Sequence, residues 1–522
     1  MLVSDFLKDS ARTYPEKVAV VFEGRRETYA QLNDKANQLA RTLIDHGLCR
    51  GDRVAVYMDN SLGAVISVFG ILKAGGVLSV LNPAIKVDKL TYILRDSSAT
   101  MLISDAKHVP VAVQAIRDAP SLSTMIIDGE CKMCDSRPGV SLLSMDDTLK
   151  YQPTSPPAHQ TIDLDLAAII YTSGSTGSPK GVMATHLNIV SAASSITQYL
   201  ENTASDVILN TLPLSFDYGL YQLLMAFKVG ATLVLEKSFT FPYRVVDLML
   251  RERVTGFPGV PTIFALLLQL RDLKKHDFSA LRYVTNTAAA LPVPYINRLR
   301  ETFPQAKIYL MYGLTECKRV SYLPPEEIDR RPTSVGKAIP NTEVYIVDED
   351  GRRLGPGVVG ELVVRGSHVT LGYWGAPEET ARVFRPGPLP GERVLHTGDY
   401  FKMDEDGYLY FIGRKDDMIK SRGERISPKE IEDVLYGLEG VIEAAAVGVP
   451  DAILGEAVKA VLVLRPGVNL SERQVRAYCS ERLEDCMVPK IVEFWPALPK
   501  TLSGKINKNA IGAEACAVSS VR

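Results

Sequence analysis

The chain has 522 residues, 46% of them hydrophobic and 23% charged, with 59 Lys+Arg against 61 Asp+Glu. That length exceeds one ordinary core, so at least two domains are expected, and the balanced charge lacks the basic footprint of a nucleic-acid binder. No run of about 18 apolar residues predicts a transmembrane helix, and Asp5, Lys8 and Asp9 stand where a signal peptide would be apolar, so the chain reads as cytoplasmic.

Along the chain, strand-like and helix-like segments alternate. "RVAVYMD" (53–59) predicts a buried strand and "LGAVISVFGILKAGG" (62–76) a helix ending at glycines. Residues 100–105, 109–119 and 124–129 predict strand, helix and strand. Cys131 and Cys134 in "CKMC" form the only tight cysteine pair, and no second pair or histidines at zinc spacing accompany them. They read as a surface loop. Further strands are expected at 206–214, 231–237 and 254–260. Such alternation argues for α/β layers around largely parallel sheets.

Between these lies "YTSGSTGSPKGV" (171–182), after the apolar "LAAII". Backbone N–H groups of a glycine- and hydroxyl-rich turn can converge on phosphate oxygens. Gly174 and Gly177 permit close approach, Ser173, Ser175 and Thr176 add neutral donors, and Lys180 adds a mobile charge. The spacing differs from the G-x-x-x-x-G-K-[ST] loop, because Pro179 precedes the lysine and Gly181 follows it. A solvated turn is the plain alternative.

Past residue 335 the texture changes to short strands with turn signals at "EDG" and "GPG", as in hairpins. After Arg414 comes the charged "KDDMIKSRGERISPKE". A compact α+β segment follows, with a helix near 428–438, two strands, and a helix from about 471. The division is therefore placed between residues 1–413 and 414–522. Four more stretches hold polar residues suited to chemistry: "MYGLTEC" (311–317), "HTGDYF" (396–401), "GRKDD" (413–417) and "LPKTLSGKINK" (498–508). Singly, each passes as a turn or a solvated charge.

Jointly, in order and wording, these motifs resemble the adenylate-forming superfamily: acyl-CoA synthetases, adenylation domains of non-ribosomal peptide synthetases, and firefly luciferase. "ETYAQLNDKANQLARTL" (27–43), "LKAGGVLSVLNP" (72–83), "GELVVRG" (360–366) and "GRKDDMIKSRGERISPKEIE" (413–432) extend the likeness over essentially the whole chain. The resemblance implies an α/β fold with a large N-terminal domain of layered αβαβα subdomains plus a distorted β-barrel. A small mobile α+β C-terminal domain completes it. It implies two steps: a carboxylate attacks the α-phosphate of ATP to give an acyl-adenylate and pyrophosphate, and a thiol of CoA or of a carrier-protein phosphopantetheine then displaces AMP.

The resemblance also assigns residues. The loop Thr172, Ser173, Gly174, Ser175, Thr176, Gly177 and Lys180 would clasp the departing phosphates. Thr315 would contact phosphate, Glu316 would hold Mg²⁺, and Tyr312 would stack on adenine. Asp399 and Arg414 would bind the ribose. Lys505 would reach both the carboxylate and the α-phosphate. Asp416 would be the hinge of a domain rotation, and Gly423 would leave room for the pantetheine arm.

The acid is less legible. Phe216-Asp217 resembles the pair with which amino-acid adenylation domains bind an ammonium, whereas the next residues, "YG", resemble acyl-CoA synthetases. A carboxylate in a first helical turn is also favoured by the macrodipole alone. Tyr218 and Tyr221 would limit pocket depth or simply pack, and Thr287, Ala288 and Ala289 would form an apolar wall. A carrier protein, if used, would arrive in trans. A luciferase-like or amide-forming enzyme, and a nucleotide-binding protein without catalysis, are the competing classes.

Overall fold

The computed structural model describes residues 1–130, 138–158, 160–172, 179–421, 424–451, 454–501 and 505–512. Two large sheets form its body. One has seven strands in the order Ser141–Ser144, Thr124–Asp128, Met101–Asp105, Arg53–Tyr57, Val77–Leu81, Leu166–Thr172 and Lys180–Thr185. All neighbours pair in parallel except the last two, which form an antiparallel hairpin. The other has nine strands, running from Lys337–Ala338 through Ser321–Leu323, Lys307–Tyr312, Tyr283–Asn286, Gly256–Gly259, Val207–Asn210, Thr232–Leu235 and Val18–Phe22 to Arg25–Thr28. The expected strands at 53–59, 100–105, 124–129, 206–214, 231–237 and 254–260 all fall within these two sheets.

Helices fill the space between the sheets. Every residue of Leu62–Lys73 is buried, which fits its sequence, apolar on all faces. Phe69 stacks on Phe227 with ring centroids 5.0 Å apart, and Phe227 also meets Tyr29 edge-on at 5.2 Å. Such contacts add about 0.5–1.5 kcal/mol each beyond buried area. They fix the helix Asp217–Val229, whose residues from Asp217 to Phe227 are all buried. Gly230 closes that helix in the left-handed region, at φ 74°.

Where a distorted barrel was expected, five strands pair antiparallel: Thr342–Val347, Gly360–Gly366, Arg393–Met403 and Phe384–Pro386 in order, with Leu409–Arg414 on Arg393–Met403. The last sheet holds Ile419–Ser421, Glu424–Ile426, Val441–Asp451, Gly455–Leu464 and Ile491–Phe494. Helices Pro428–Tyr436 and Glu472–Ser480 cover it through Ile431, Leu435, Val475 and Cys479. This unit touches the body where the Tyr295 hydroxyl donates to the Ile442 carbonyl at 2.9 Å. Among the described residues no helix is long and apolar enough to cross a membrane.

The start of Asp217–Val229 packs against the preceding loop with no room to spare. A Cβ at Gly219 would lie 2.2 Å from the Pro213 carbonyl oxygen and 2.9 Å from that of Leu212. Backbone cannot yield as a flexible side chain would. Gly219→Ala is therefore expected to destabilise the protein by about 1–3 kcal/mol, read as a lowered thermal midpoint. An unchanged midpoint would show that the helix start is free to shift.

Candidate active site

The strand Lys307–Tyr312 ends in a reversal that supplies most of the site. The Val320 amide donates to the Tyr312 carbonyl at 2.9 Å and closes the loop, while Cys317 N–H donates to Leu314 O at 3.1 Å. Gly313 makes this possible, since a Cβ there would sit 2.2 Å from the Lys318 carbonyl oxygen. Lys318 takes φ 64°. The result sets Tyr312, Thr315, Glu316, Lys318 and Arg319 around one turn.

Asp399 stands beside this turn on Arg393–Met403, in register with Arg414 on the next strand. It is only 7% exposed. The Tyr312 hydroxyl donates to its Oδ2 at 2.6 Å, and Arg414 Nε lies 3.2 Å from its Oδ1. That Oδ1 is buried and receives no hydrogen bond. Burial pushes the carboxyl pKa up, against the pull of Arg414 and Tyr312. A buried carboxylate oxygen without a donor fits a ligand hydroxyl. The ring of Tyr312 meets Phe401 edge-on at 4.8 Å, so Tyr312 ties Asp399 in place as well as offering a ring face.

On the other flank, Thr172 pairs with Lys180 at the mouth of the glycine-rich hairpin. The stretch 371–374 runs alongside that hairpin: Met183 N–H donates to Gly372 O and Trp374 N–H to Gly181 O, at 2.9 and 2.8 Å. This brings Tyr373 over the site. Its ring lies 5.7 Å from Lys180 Nζ, and its hydroxyl donates to Glu316 Oε1 at 2.7 Å. The contact orients the carboxylate and leaves its second oxygen for a hard cation such as Mg²⁺, which takes oxygen ligands. Held there, such an ion would supply positive charge to offset that of the phosphates.

The third wall is the first turn of Asp217–Val229. Asp217 meets the Lys318 ammonium at 3.3 Å, with both side chains nearly buried. Lys318 also lies over the Tyr221 ring at 4.4 Å. Burial pushes its pKa down to about 7, against the pull of Asp217. Arg319, 2% exposed, donates from Nη1 to Thr287 Oγ1 at 2.7 Å and rests over Tyr218 at 5.4 Å. The Tyr218 hydroxyl is within 2.6 Å of Thr285 Oγ1. Tyr218 and Tyr221 therefore both pack and form the wall. Ala288 is half-buried at φ 75°, and Ala289 is exposed.

Lys505 lies between the bridged residues Lys500 and Ile506, and Thr501 N–H donates to Lys505 O at 2.7 Å. Surrounding protein lowers its pKa although water still reaches it. The charges of Asp217, Asp399 and Glu316 pull that pKa back up. Asp416 is exposed in the turn between Leu409–Arg414 and Ile419–Ser421. Ser173, Gly174, Ser175, Thr176, Gly177, Gly423, Cys131 and Cys134 lie outside the described residues.

Three participants went unread in the sequence: Tyr373, Lys318 and Arg319. The signal for the last two was a charge doublet following an apolar strand and turn, "CKRV". Tyr373 had no local signal, since only the pairing of 371–374 with the hairpin places it.

The AMP-binding enzyme family profile matches residues 7–374, and the AMP-binding enzyme C-terminal domain matches 430–505. The chain is 33% identical to a long-chain-fatty-acid–CoA ligase of Bacillus subtilis, over 97% of its own length and 93% of the relative's. It is 31% identical to tyrocidine synthase 1 of Brevibacillus parabrevis, over 98% of its length and 44% of that larger protein. Its fold matches the crystal structure of the anthranilate CoA ligase AuaEII in complex with anthranoyl-AMP, with a TM-score of 0.90 and 30% identity, covering 100% of this chain and 98% of that one. The chain belongs to the AMP-binding enzyme family, and it is an ATP- and Mg²⁺-dependent, AMP-forming acid–thiol ligase that works through an acyl-adenylate.

Proposed function

We propose that this ligase activates a simple carboxylic acid, without an α-ammonium group, and passes it to a pantetheine thiol. The observation that carries this reading is the ion pair of Asp217 with Lys318. A carboxylate that already has a buried cation 3.3 Å away needs no second one. A substrate ammonium placed there would meet Lys318, Arg319 and Lys505 on the same side of the balance. The acid carboxylate brings the charge that these cations attract.

In this reading the residues divide the work. Asp399 accepts from ribose hydroxyls, with Arg414 beside it. Lys180 and the hairpin 172–180 face the phosphates that leave, Thr315 adds a donor, and Glu316 holds Mg²⁺. Tyr312 gives the adenine a ring face. Lys505 contacts the reacting carboxylate and the α-phosphate, so that its charge offsets the repulsion between two approaching anions. The domain division at 413/414 and the hinge at Asp416 allow the last sheet to turn and replace Lys505 with the segment around Gly423. The thiol sits on CoA or on a carrier protein, since both present the same arm.

ATP–pyrophosphate exchange without thiol tests the acid. Pairs of amino acids and their des-amino analogues are compared, such as alanine with propionate and proline with cyclopentanecarboxylate. Exchange is expected with the des-amino member. Exchange confined to amino acids would contradict the reading and make Asp217 an ammonium ligand.

The two half-reactions test the lysine and the hinge. Lys505→Ala should slow exchange by about 10²–10³-fold, the usual worth of one preorganised donor. Asp416→Pro should keep exchange near the parent rate and stop transfer of a supplied acyl-adenylate to CoA. If both half-reactions survive in Asp416→Pro, the hinge lies elsewhere.

A further inference from the structure

Arg319 is a buried cation that no carboxylate answers. Among the described residues none lies within ion-pair distance of its guanidinium, and its buried Nε has no acceptor. Its Nη1 has only the Thr287 hydroxyl, at 2.7 Å, and its flat face has the Tyr218 ring. A guanidinium cannot shed its proton to escape this situation. Lys318 gives no relief, because its charge is matched by Asp217. The wall therefore keeps one net positive charge at Arg319. Buried charge is retained where something binds it, and the guanidinium fork is shaped for a carboxylate.

The direction of the pocket follows from the same residues. The charges of Asp217, Arg414, Asp399 and Glu316 all act on Lys505. Arg319 stands on the side of Thr287 and Tyr218. The side chains of Tyr218 and Tyr221, 1% and 4% exposed, are packed into the core and leave little depth beyond them. An acid held by its reacting end at Lys505 would have Arg319 as the unmatched cation for its other end.

We propose that Arg319 binds a second carboxylate, so that the substrate is a short α,ω-dicarboxylic acid activated at one end only. This rests on the reading that a simple acid, not an amino acid, is adenylated. One carboxylate oxygen attacks the α-phosphorus, pyrophosphate leaves, and the distal carboxylate stays ionised on the guanidinium. The Asp217–Lys318 pair lines the middle of the pocket as a neutral unit.

The test is ATP–pyrophosphate exchange with malonate, succinate and glutarate, each against the monocarboxylic acid of equal carbon count. It is run on the parent chain, on Arg319→Gln and on Arg319→Lys. The best diacid should exceed its monoacid by at least about tenfold in kcat/KM, the equivalent of one well-made contact. Arg319→Gln should raise KM for the diacid by about tenfold more than it raises KM for the monoacid, which abolishes the preference. Arg319→Lys, which keeps the charge and loses the fork, should fall between. The parent comparison stands even if a variant does not fold. Monoacids preferred or equal in the parent chain would overturn this proposal and leave the simple-acid reading intact. Exchange with amino acids alone would overturn both. Equal losses for diacid and monoacid in a folded Arg319→Gln would reduce Arg319 to a packing residue and overturn the proposal too.

Discussion

Two anions have to meet in this site, and the structure is arranged around that constraint. Unit charges of like sign 4 Å apart repel by about 4 kcal/mol at an effective dielectric near 20. A carboxylate will not approach a polyphosphate unless cations are already placed. Those cations cannot be stored in a protein interior without cost, so most of them are held by carboxylates of the chain itself. Arg414 lies against Asp399 and Lys318 against Asp217, and Lys505 faces Asp217, Asp399 and Glu316. The fold serves this arrangement. A reversal made possible by Gly313 joins two of the walls, and a helix buried from Asp217 to Phe227, braced through Phe69 and Phe227, sets the third.

The same arrangement separates the parts of the site by function. Tyr312 and Asp399 are fixed to each other and to the antiparallel sheet behind them, where the proposed reading puts the nucleotide. Tyr373 couples Glu316 to the strand that carries Lys180. In the proposed reading the acid side is set by Asp217, Lys318 and Arg319, and charge is its distinguishing feature.

The alternation of strands and helices was legible because the strands of a parallel sheet are short apolar runs and the helices between them are periodic. Tyr312, Thr315, Glu316, Asp399 and Arg414 were legible as candidates because each stands close to a glycine that leaves a mark in the sequence, although Asp399 lies within the strand Arg393–Met403 and not at its end. Asp217 was legible as a candidate and ambiguous in role, for a physical reason. Its partner Lys318 is distant in the chain, and a first-turn carboxylate looks the same whether it caps a dipole, binds a ligand or pairs with a lysine. Arg319 was unread because nothing local distinguishes a buried arginine from a surface one; its burial follows only once Thr287 and Tyr218 are brought against it. Tyr373 depends entirely on pairing between distant segments.

The claim on which the substrate assignment turns is that Asp217 and Lys318 act as one neutral unit. A double-mutant cycle with Asp217→Asn, Lys318→Met and the double variant, read as kcat/KM for exchange with the preferred acid, measures that coupling directly. Either single change leaves a buried charge alone and should be costly, and the double change should recover much of the loss, with a coupling of about 1.5 kcal/mol or more. Additive losses, or a gain of amino-acid exchange in Lys318→Met no greater than in the parent chain together with no coupling, would contradict the account.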